Sequence, residues 1–238
     1  MRWIRPDRTP SLDPSEIHVW RIRLKAAWDP ERSEEALSDG EKRRAERFRF
    51  ELHRRRWSAA QTSLRSILAT YLDRAAGDID FDRGPHGKPY LAAEVEGRDL
   101  RFNLTHSADL ALLAVTRGRE VGIDLERMRR DRPVADLARR WFAPEEAEAV
   151  LAMPSGERSS GFFACWTRKE AVIKAEGLTV PAALKRFTVP VGPIDEAIVA
   201  EGPERTWSLA SLPAATGFAA AIAYEGPAAR TRGFLWPS

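Results

Sequence analysis

The chain has 238 residues, of which 43% are hydrophobic and 31% charged; these are globular proportions that exclude a disordered chain and provide a core without disulfides. A single cysteine, Cys165, excludes an intramolecular disulfide framework and a cysteine-built zinc site. The net charge of +3, the lack of a leader pattern and the lack of an apolar run of ~18 residues point to a soluble cytoplasmic protein rather than a membrane one.

In chain order, residues 17–24 put Trp20, Ile22 and Leu24 on one face, which predicts a strand. Residues 37–50 read as a helix capped by Ser38 or Asp39, with Glu41 near the capping-box position. Residues 54–75 form a second helix, with Trp57, Ala60, Leu64, Ile67, Leu68 and Tyr71 at helical spacing and Gly77 as its stop. The stretch 83–90 is a loop by its glycines and prolines. Strands follow at 100–104 and 109–116, a hairpin turn at 117–120, and a strand at 121–125. Pro144 suits the first turn of a helix, and Glu145 and Glu146 suit its positive end. A further helix covers 158–176, stopped by Gly177, and strands are predicted at 185–190, 205–212 and 217–224. A short strand, a turn and an Ala-rich strand occur at both 100–116 and 206–224. That likeness suggests two similar α/β subdomains, divided near 117–121 into 1–118 and 119–238.

Residues 41–56 hold eight Lys or Arg in sixteen positions. Such a run suits a polyanionic partner: a nucleotide, a nucleic acid or an acidic protein. It equally suits a solvated helix face with pairs such as Glu51 and Arg55.

Three constellations carry chemistry. In Gly122-Ile123-Asp124-Leu125-Glu126, alternation along a strand sends Asp124 and Glu126 to one face and leaves Ile123 and Leu125 for the core. Two adjacent carboxylates suit a solvated strand end, or a hard divalent cation that keeps waters and phosphates as its other ligands. In Trp166-Thr167-Arg168-Lys169-Glu170-Ala171-Val172-Ile173-Lys174, helical spacing puts Glu170 and Lys174 together, flanked by Trp166 and Ile173. A surface pair of this kind contributes ~0.3–0.5 kcal/mol. Partly buried, the Glu becomes a third carboxylate for a cation and the Lys a point charge for phosphate. In Phe102-Asn103-Leu104-Thr105-His106-Ser107, hydroxyls flank a histidine at the end of a strand, where exposed backbone N–H groups suit a phosphate.

Taken together these residues resemble the Sfp-type 4′-phosphopantetheinyl transferases. The family's G-(I/V)-D-x-E motif is matched by Gly122 to Glu126, and its W-x-x-K-E-(A/S)-x-x-K motif by Trp166, Lys169, Glu170, Ala171 and Lys174. Its N-(L/I)-S-H-S motif is matched by Asn103 to Ser107, with Thr105 in place of serine. Gly87-Lys88-Pro89 and Arg47-Phe48-Arg49-Phe50 supply two further elements in the same order. The resemblance implies an α+β fold of two similar α/β subdomains related by pseudo-twofold symmetry, with the active site at their interface.

The implied reaction moves the phosphopantetheine arm of coenzyme A to a serine of an acyl or peptidyl carrier protein and releases adenosine 3′,5′-bisphosphate. By the resemblance, Asp124, Glu126 and Glu170 bind magnesium, and manganese accepts the same oxygen ligands. Lys174 neutralises phosphate oxygens, and His106 and Thr105 contact coenzyme A phosphates. Lys88, Arg44 and Arg47 support the nucleotide end, with Arg54, Arg55 and Arg56 as other choices for its 3′-phosphate. Glu170, Lys174, Asp124 and His106 form the implied catalytic set, in a monomer with a complete site. Three rivals stand beside this reading: a silent coenzyme A or carrier-binding module, a nucleic-acid binder through residues 41–56, and a magnesium-dependent phosphohydrolase.

Overall fold

The short motifs above are distributed over two compact units. The computed structural model describes residues 1–236 except 98, 130, 180–182 and 195. The fold is mixed α/β. One unit comprises Met1–Asp82, Pro89–Gly118 and Arg230–Ser238, and the other Arg83–Lys88 and Arg119–Ala229. Among the described residues, no helix is long and apolar enough to cross a membrane.

The first unit is built on a five-stranded sheet. Its strands are β1 (Trp3–Ile4), β2 (Glu16–Arg23), β5 (Leu100–Ser107), β6 (Leu110–Arg117) and β11 (Arg230–Leu235), in the order β1-β11-β2-β6-β5. β5, β6 and β2 pair antiparallel, whereas β11 runs parallel to both β2 and β1. The last strand therefore leaves the second half of the chain, so the division is not a single cut at residue 118. Between β2 and β5 lie helices α1 (Leu24–Ala27), α2 (Pro30–Ala36), α3 (Asp39–Glu46) and α4 (Glu51–Leu72), then the short strands β3 (Phe81–Arg83) and β4 (Pro89–Leu91). Leu64, Ile67 and Leu68 of α4 pack with Trp20, Ile22, Phe102 and Leu113 of the sheet, as the 3.6-residue spacing requires.

Boundaries differ from the predicted ones for local reasons. The helix expected over 37–50 is α3 alone. Ser38 caps it, accepting the Glu41 N–H while Glu41 accepts the Ser38 N–H. The chain turns after Glu46 so that Phe48 stacks near Trp57, with ring centroids 5.8 Å apart. α2 was not predicted, although Pro30 at its first turn and Asp29 as its cap, accepting the Arg32 N–H, are helix-start signals. α4 ends at Asp73, which adopts a left-handed φ of 52°, and not at Gly77. Aspartate tolerates that region, so the glycine was not needed there.

Beneath α4 runs a buried polar chain. The Trp20 indole N–H donates to the Tyr71 hydroxyl at 2.8 Å, and that hydroxyl donates to His18 Nδ1 at 2.7 Å. The remaining ring N–H then faces Glu16 at 3.4 Å, which assigns the neutral tautomer. Burial lowers the His18 pKa from 6.5 to about 4; Glu16 opposes the shift, and Arg232 adds to it. The unfolded chain takes up this proton first, so the contribution is present above pH 6.5 and is lost as pH falls toward 4. Denaturant titrations should show a loss on the order of 3 kcal/mol across that window, and a smaller loss in His18→Gln. Equal pH profiles in the two proteins would remove His18 as the cause.

The second unit is an antiparallel sheet of β7 (Val121–Arg127), β10 (Phe218–Tyr224), β9 (Thr206–Ser211) and β8 (Ile198–Glu201), in that order. Residues 117–120 are therefore not a hairpin turn: β6 and β7 belong to different sheets. Helices α5 (Val134–Trp141), α6 (Pro144–Ala152) and α7 (Arg158–Glu176) complete the unit. Of these, α5 was not predicted. α7 ends on Gly177 at φ 70°, the left-handed stop expected from the sequence.

The strand predicted at 185–190 is irregular chain. Its alternating Phe187, Val189 and Val191 are buried, which explains the strand-like pattern. Its backbone polar groups are met by side chains instead of a ladder. Lys169 donates to the Phe187 carbonyl, Glu146 accepts the Val189 N–H at 2.8 Å, and Arg168 donates to the Pro190 and Gly192 carbonyls.

Candidate active site

Gly122 sets the depth of the site. A Cβ there would stand 2.1 Å from the Ala171 carbonyl oxygen and 2.3 Å from the Ala175 nitrogen, so only glycine lets α7 lie this close to β7. Alternation then turns Asp124 and Glu126 to the same, helix-covered face. The neighbouring strand helps. Ala223, Ala221 and Ala219 of β10 stand opposite Gly122, Asp124 and Glu126, and their small side chains leave room for α7. Ile123 and Leu125 are buried on the opposite face. The expectation that those two are core residues holds, whereas the solvated strand end that two adjacent carboxylates also allowed does not: Ala221, Ala223, Ala171, Val172 and Ala175 pack as aliphatic core on the carboxylates' face.

On α7, Glu170 and Lys174 point to this junction. The Lys174 ammonium pairs with Asp124, and it stands 3.4 Å from Glu170 Oε2. The side chains of Asp124 and Glu170 are only 2% and 14% exposed, so this is not the surface pair that spacing alone allowed. Trp166 and Ile173 flank it on α7; Ile173 is fully buried, and Trp166 stacks on Phe162 with centroids 6.0 Å apart.

The electrostatics follow from one excess of charge. Burial raises the Glu170 pKa from 4.5 to about 7, the charge of Asp124 adds to this, Lys174 opposes it, and Glu126 adds again. For Lys174, burial works against the charged form, but Asp124 and Glu170 outweigh it and raise its pKa. Asp124, Glu126, Glu170 and Lys174, all ionised, leave a formal charge of −2 that a divalent cation would neutralise. Among the described residues no three acidic, histidine or cysteine side chains converge on one ion-sized point; the positive charge that Asp124 and Glu170 meet is the Lys174 ammonium. The donor set is all oxygen, which fits a hard cation.

Residues 120–223 match the 4′-phosphopantetheinyl transferase superfamily, and residues 26–118 match the 4′-phosphopantetheinyl transferase N-terminal family. The chain is 38% identical over 228 residues to the 4′-phosphopantetheinyl transferase HetI of a Nostoc species, covering 94% of each chain. The chain belongs to the 4′-phosphopantetheinyl transferase family. The transferase is also 27% identical to Sfp of Bacillus subtilis, over 64% of this chain and 66% of Sfp. To the L-aminoadipate-semialdehyde dehydrogenase-phosphopantetheinyl transferase of Xenopus laevis it is 28% identical, over 71% of this chain and 60% of that one. Its activity is transfer of phosphopantetheine from coenzyme A to carrier proteins.

The other sequence-predicted residues of the transferase lie on different elements. Thr105, His106 and Ser107 are inside β5, in register with Leu112, Ala111 and Leu110 of β6, and not beyond the strand's end. Thr105 is buried and His106 exposed, on opposite faces. A loop cradle made by all three is therefore corrected to two separate faces of one strand. Arg44 and Arg47 are exposed near the end of α3, with the Arg44 guanidinium 5.3 Å from the Trp57 ring centroid.

Lys88 of the transferase has a structural set of partners. Its ammonium donates to Glu120 at 2.8 Å, to the Ala175 carbonyl at 2.9 Å and to the Val121 carbonyl at 3.2 Å. It thereby ties the start of β7 to the last turn of α7, where a cation suits the helix dipole.

Two features escaped sequence reasoning. Lys169, part of the family motif, is fully buried and bonds both oxygens of Glu146 at 2.7 and 2.8 Å. Glu146 also accepts the Ala143 N–H at 3.0 Å. Its place in the first turn of α6 gave the only signal, and that signal described a helix end. The second feature is a cavity of about 160 Å³ beside Glu126, walled by Leu137, Trp141, Phe162 and Trp166 and rimmed by Arg129 and Arg132.

Proposed function

We propose that this transferase carries out its reaction with a divalent cation held by Asp124, Glu126 and Glu170. The observation that carries this reading is the buried junction of β7 and α7, where three carboxylates outnumber one ammonium and Glu170 is pushed up to about 7. The cation, when bound, supplies charge neutralisation and Lewis acidity at the pyrophosphate of coenzyme A.

The serine hydroxyl of the carrier is a weak nucleophile and needs a base. Glu170 takes the proton, because it is the carboxylate that α7 holds beside Lys174 at this junction; Glu126 is the second choice. The serine oxygen forms a bond to the β-phosphorus while the bridging P–O bond breaks. Its electron pair leaves with adenosine 3′,5′-bisphosphate, and Lys174 offsets the charge developing on the phosphate oxygens. The apolar cavity beside Glu126 receives the pantetheine chain. His106, on the exposed face of β5, contacts the phosphates, whereas Thr105 is buried on the other face and supports the strand; Arg44 and Arg47 take the 3′-phosphate end. Lys88 acts through the fold by holding β7 and α7 together. Two subdomains of like plan agree with a β5–β6 hairpin and long α4 in one unit, and a β9–β10 hairpin and long α7 in the other.

Mass spectrometry of an apo-carrier protein, incubated with coenzyme A and magnesium, tests the reading. A mass gain equal to the phosphopantetheine arm is expected, and removal of the cation with a chelator should abolish it. An unchanged rate under chelation would overturn the metal assignment, and hydrolysis of coenzyme A without a carrier would favour a phosphohydrolase.

A further inference from the structure

The start of α4 breaks two local rules at adjacent positions. Its N-cap is Phe50, which makes no side-chain cap hydrogen bond, where Ser, Thr, Asp or Asn would satisfy the helix better. Two residues on, Leu52 lies off the buried stripe, which begins at Trp57. Phe50 and Leu52 are 58% and 54% exposed. Neither side chain serves the fold, and the first turn of α4 is less well capped for having them. Positions that violate local preference without a gain in packing mark function.

The surroundings are cationic. Arg43, Arg44, Arg47 and Arg49 are exposed, and among the described residues none of them pairs with a carboxylate. Of the acidic groups nearby, Glu51 is engaged by Arg54 and Arg55, Asp109 by Arg56 and Glu34 by Lys42, and Asp39 and Glu46 of α3 leave the four arginines in excess. The Arg49 guanidinium stands 5.4 Å from the Phe50 ring centroid, and the His53 ring meets that ring edge-on at 5.9 Å.

We propose that Phe50 and Leu52, framed by Arg43 and Arg49, form a docking surface for an acidic, amphipathic helix of the carrier protein. The exposed apolar pair covers the partner's apolar face, and the unpaired guanidiniums meet its carboxylates, as helix recognition and electrostatic complementarity require. A nucleic acid fits less well. It would stack on Phe50, but Leu52 offers no flat face for a base. The inference rests on the transfer reading above and assigns its second substrate a place on the first unit, distinct from the residues given to coenzyme A.

The test uses the full-length transferase with Phe50→Ser, Leu52→Gln and both together. The double variant should raise the KM for apo-carrier about tenfold or more, with kcat and the KM for coenzyme A unchanged. Phe50→Ser alone should not lower the melting temperature, because serine is the better cap. Fluorescence anisotropy of a labelled apo-carrier, without coenzyme A, reads docking independently of turnover. Equal carrier binding by parent and double variant would overturn the proposal, as would a KM for coenzyme A that rises in step. So would retardation of random-sequence DNA that the double variant loses while carrier binding persists. If the parent binds carrier, the double variant does not, and the parent adds no mass, then docking stands and the transfer reading falls.

Discussion

Glu170→Ala should lower turnover by ~10²-fold or more at saturating coenzyme A, carrier and magnesium. The side chain is the buried carboxylate whose pKa lies near 7, raised by burial and by Asp124, and it stands 3.4 Å from the Lys174 ammonium. The same substitution should leave the melting temperature unchanged or raised. It removes a desolvated carboxylate pressed by the charge of Asp124, while Lys174 keeps its pairing with Asp124. Low activity in a well-folded variant separates a chemical role from a structural one. Near-normal turnover in Glu170→Ala would pass the proton to Glu126.

Glu146→Ala should cost about 3–5 kcal/mol of folding stability, because it leaves a fully buried Lys169 ammonium without its counter-charge. The loss spreads further than the pair. The Ala143 N–H at the start of α6 and the Val189 N–H in the irregular segment both donate to Glu146, and both lose their acceptor. Replacing both partners, as Glu146→Leu with Lys169→Met, should cost less than the single change, since no charge is left stranded. Urea titrations of the three proteins measure this. A single variant within 1 kcal/mol of the parent would show that the pair does not anchor the segment. The pair also bears on how the family motif is understood here: Lys169 is adjacent to Glu170 in sequence yet faces the interior, so it holds α7 in place and does not reach a phosphate.

Much of the second unit was legible because its signals are local. The limits of α7 follow from Gly177, and β7 and β10 follow from alternation. Glu170 and Lys174 fall together because four residues make about one helical turn. Signals failed where a side chain from elsewhere took over a backbone's hydrogen bonds. The segment 185–190 alternates like a strand, but Lys169, Glu146 and Arg168 satisfy it, so it has no ladder to join. The turn at 117–120 looked like a hairpin because two strands flank it, and nothing in those four residues tells that the strands enter different sheets. The C-terminal strand pairs parallel with β2, more than two hundred residues away, and no short pattern announces such a pairing.

The sequence by itself determined which groups the site contains: Asp124 and Glu126 two apart on a strand, Glu170 and Lys174 four apart on a helix, and the family to which their order belongs. Only the tertiary structure decided what those groups experience. The close contact of α7 with Gly122 takes the carboxylates out of solvent, and burial together with like charge moves Glu170 to about 7. Burial and charge depend on everything packed around a residue, whereas spacing depends only on the residue's own element. For that reason the same motif read as a solvated strand end and a surface ion pair becomes, once folded, a site with charge to spare for a cation.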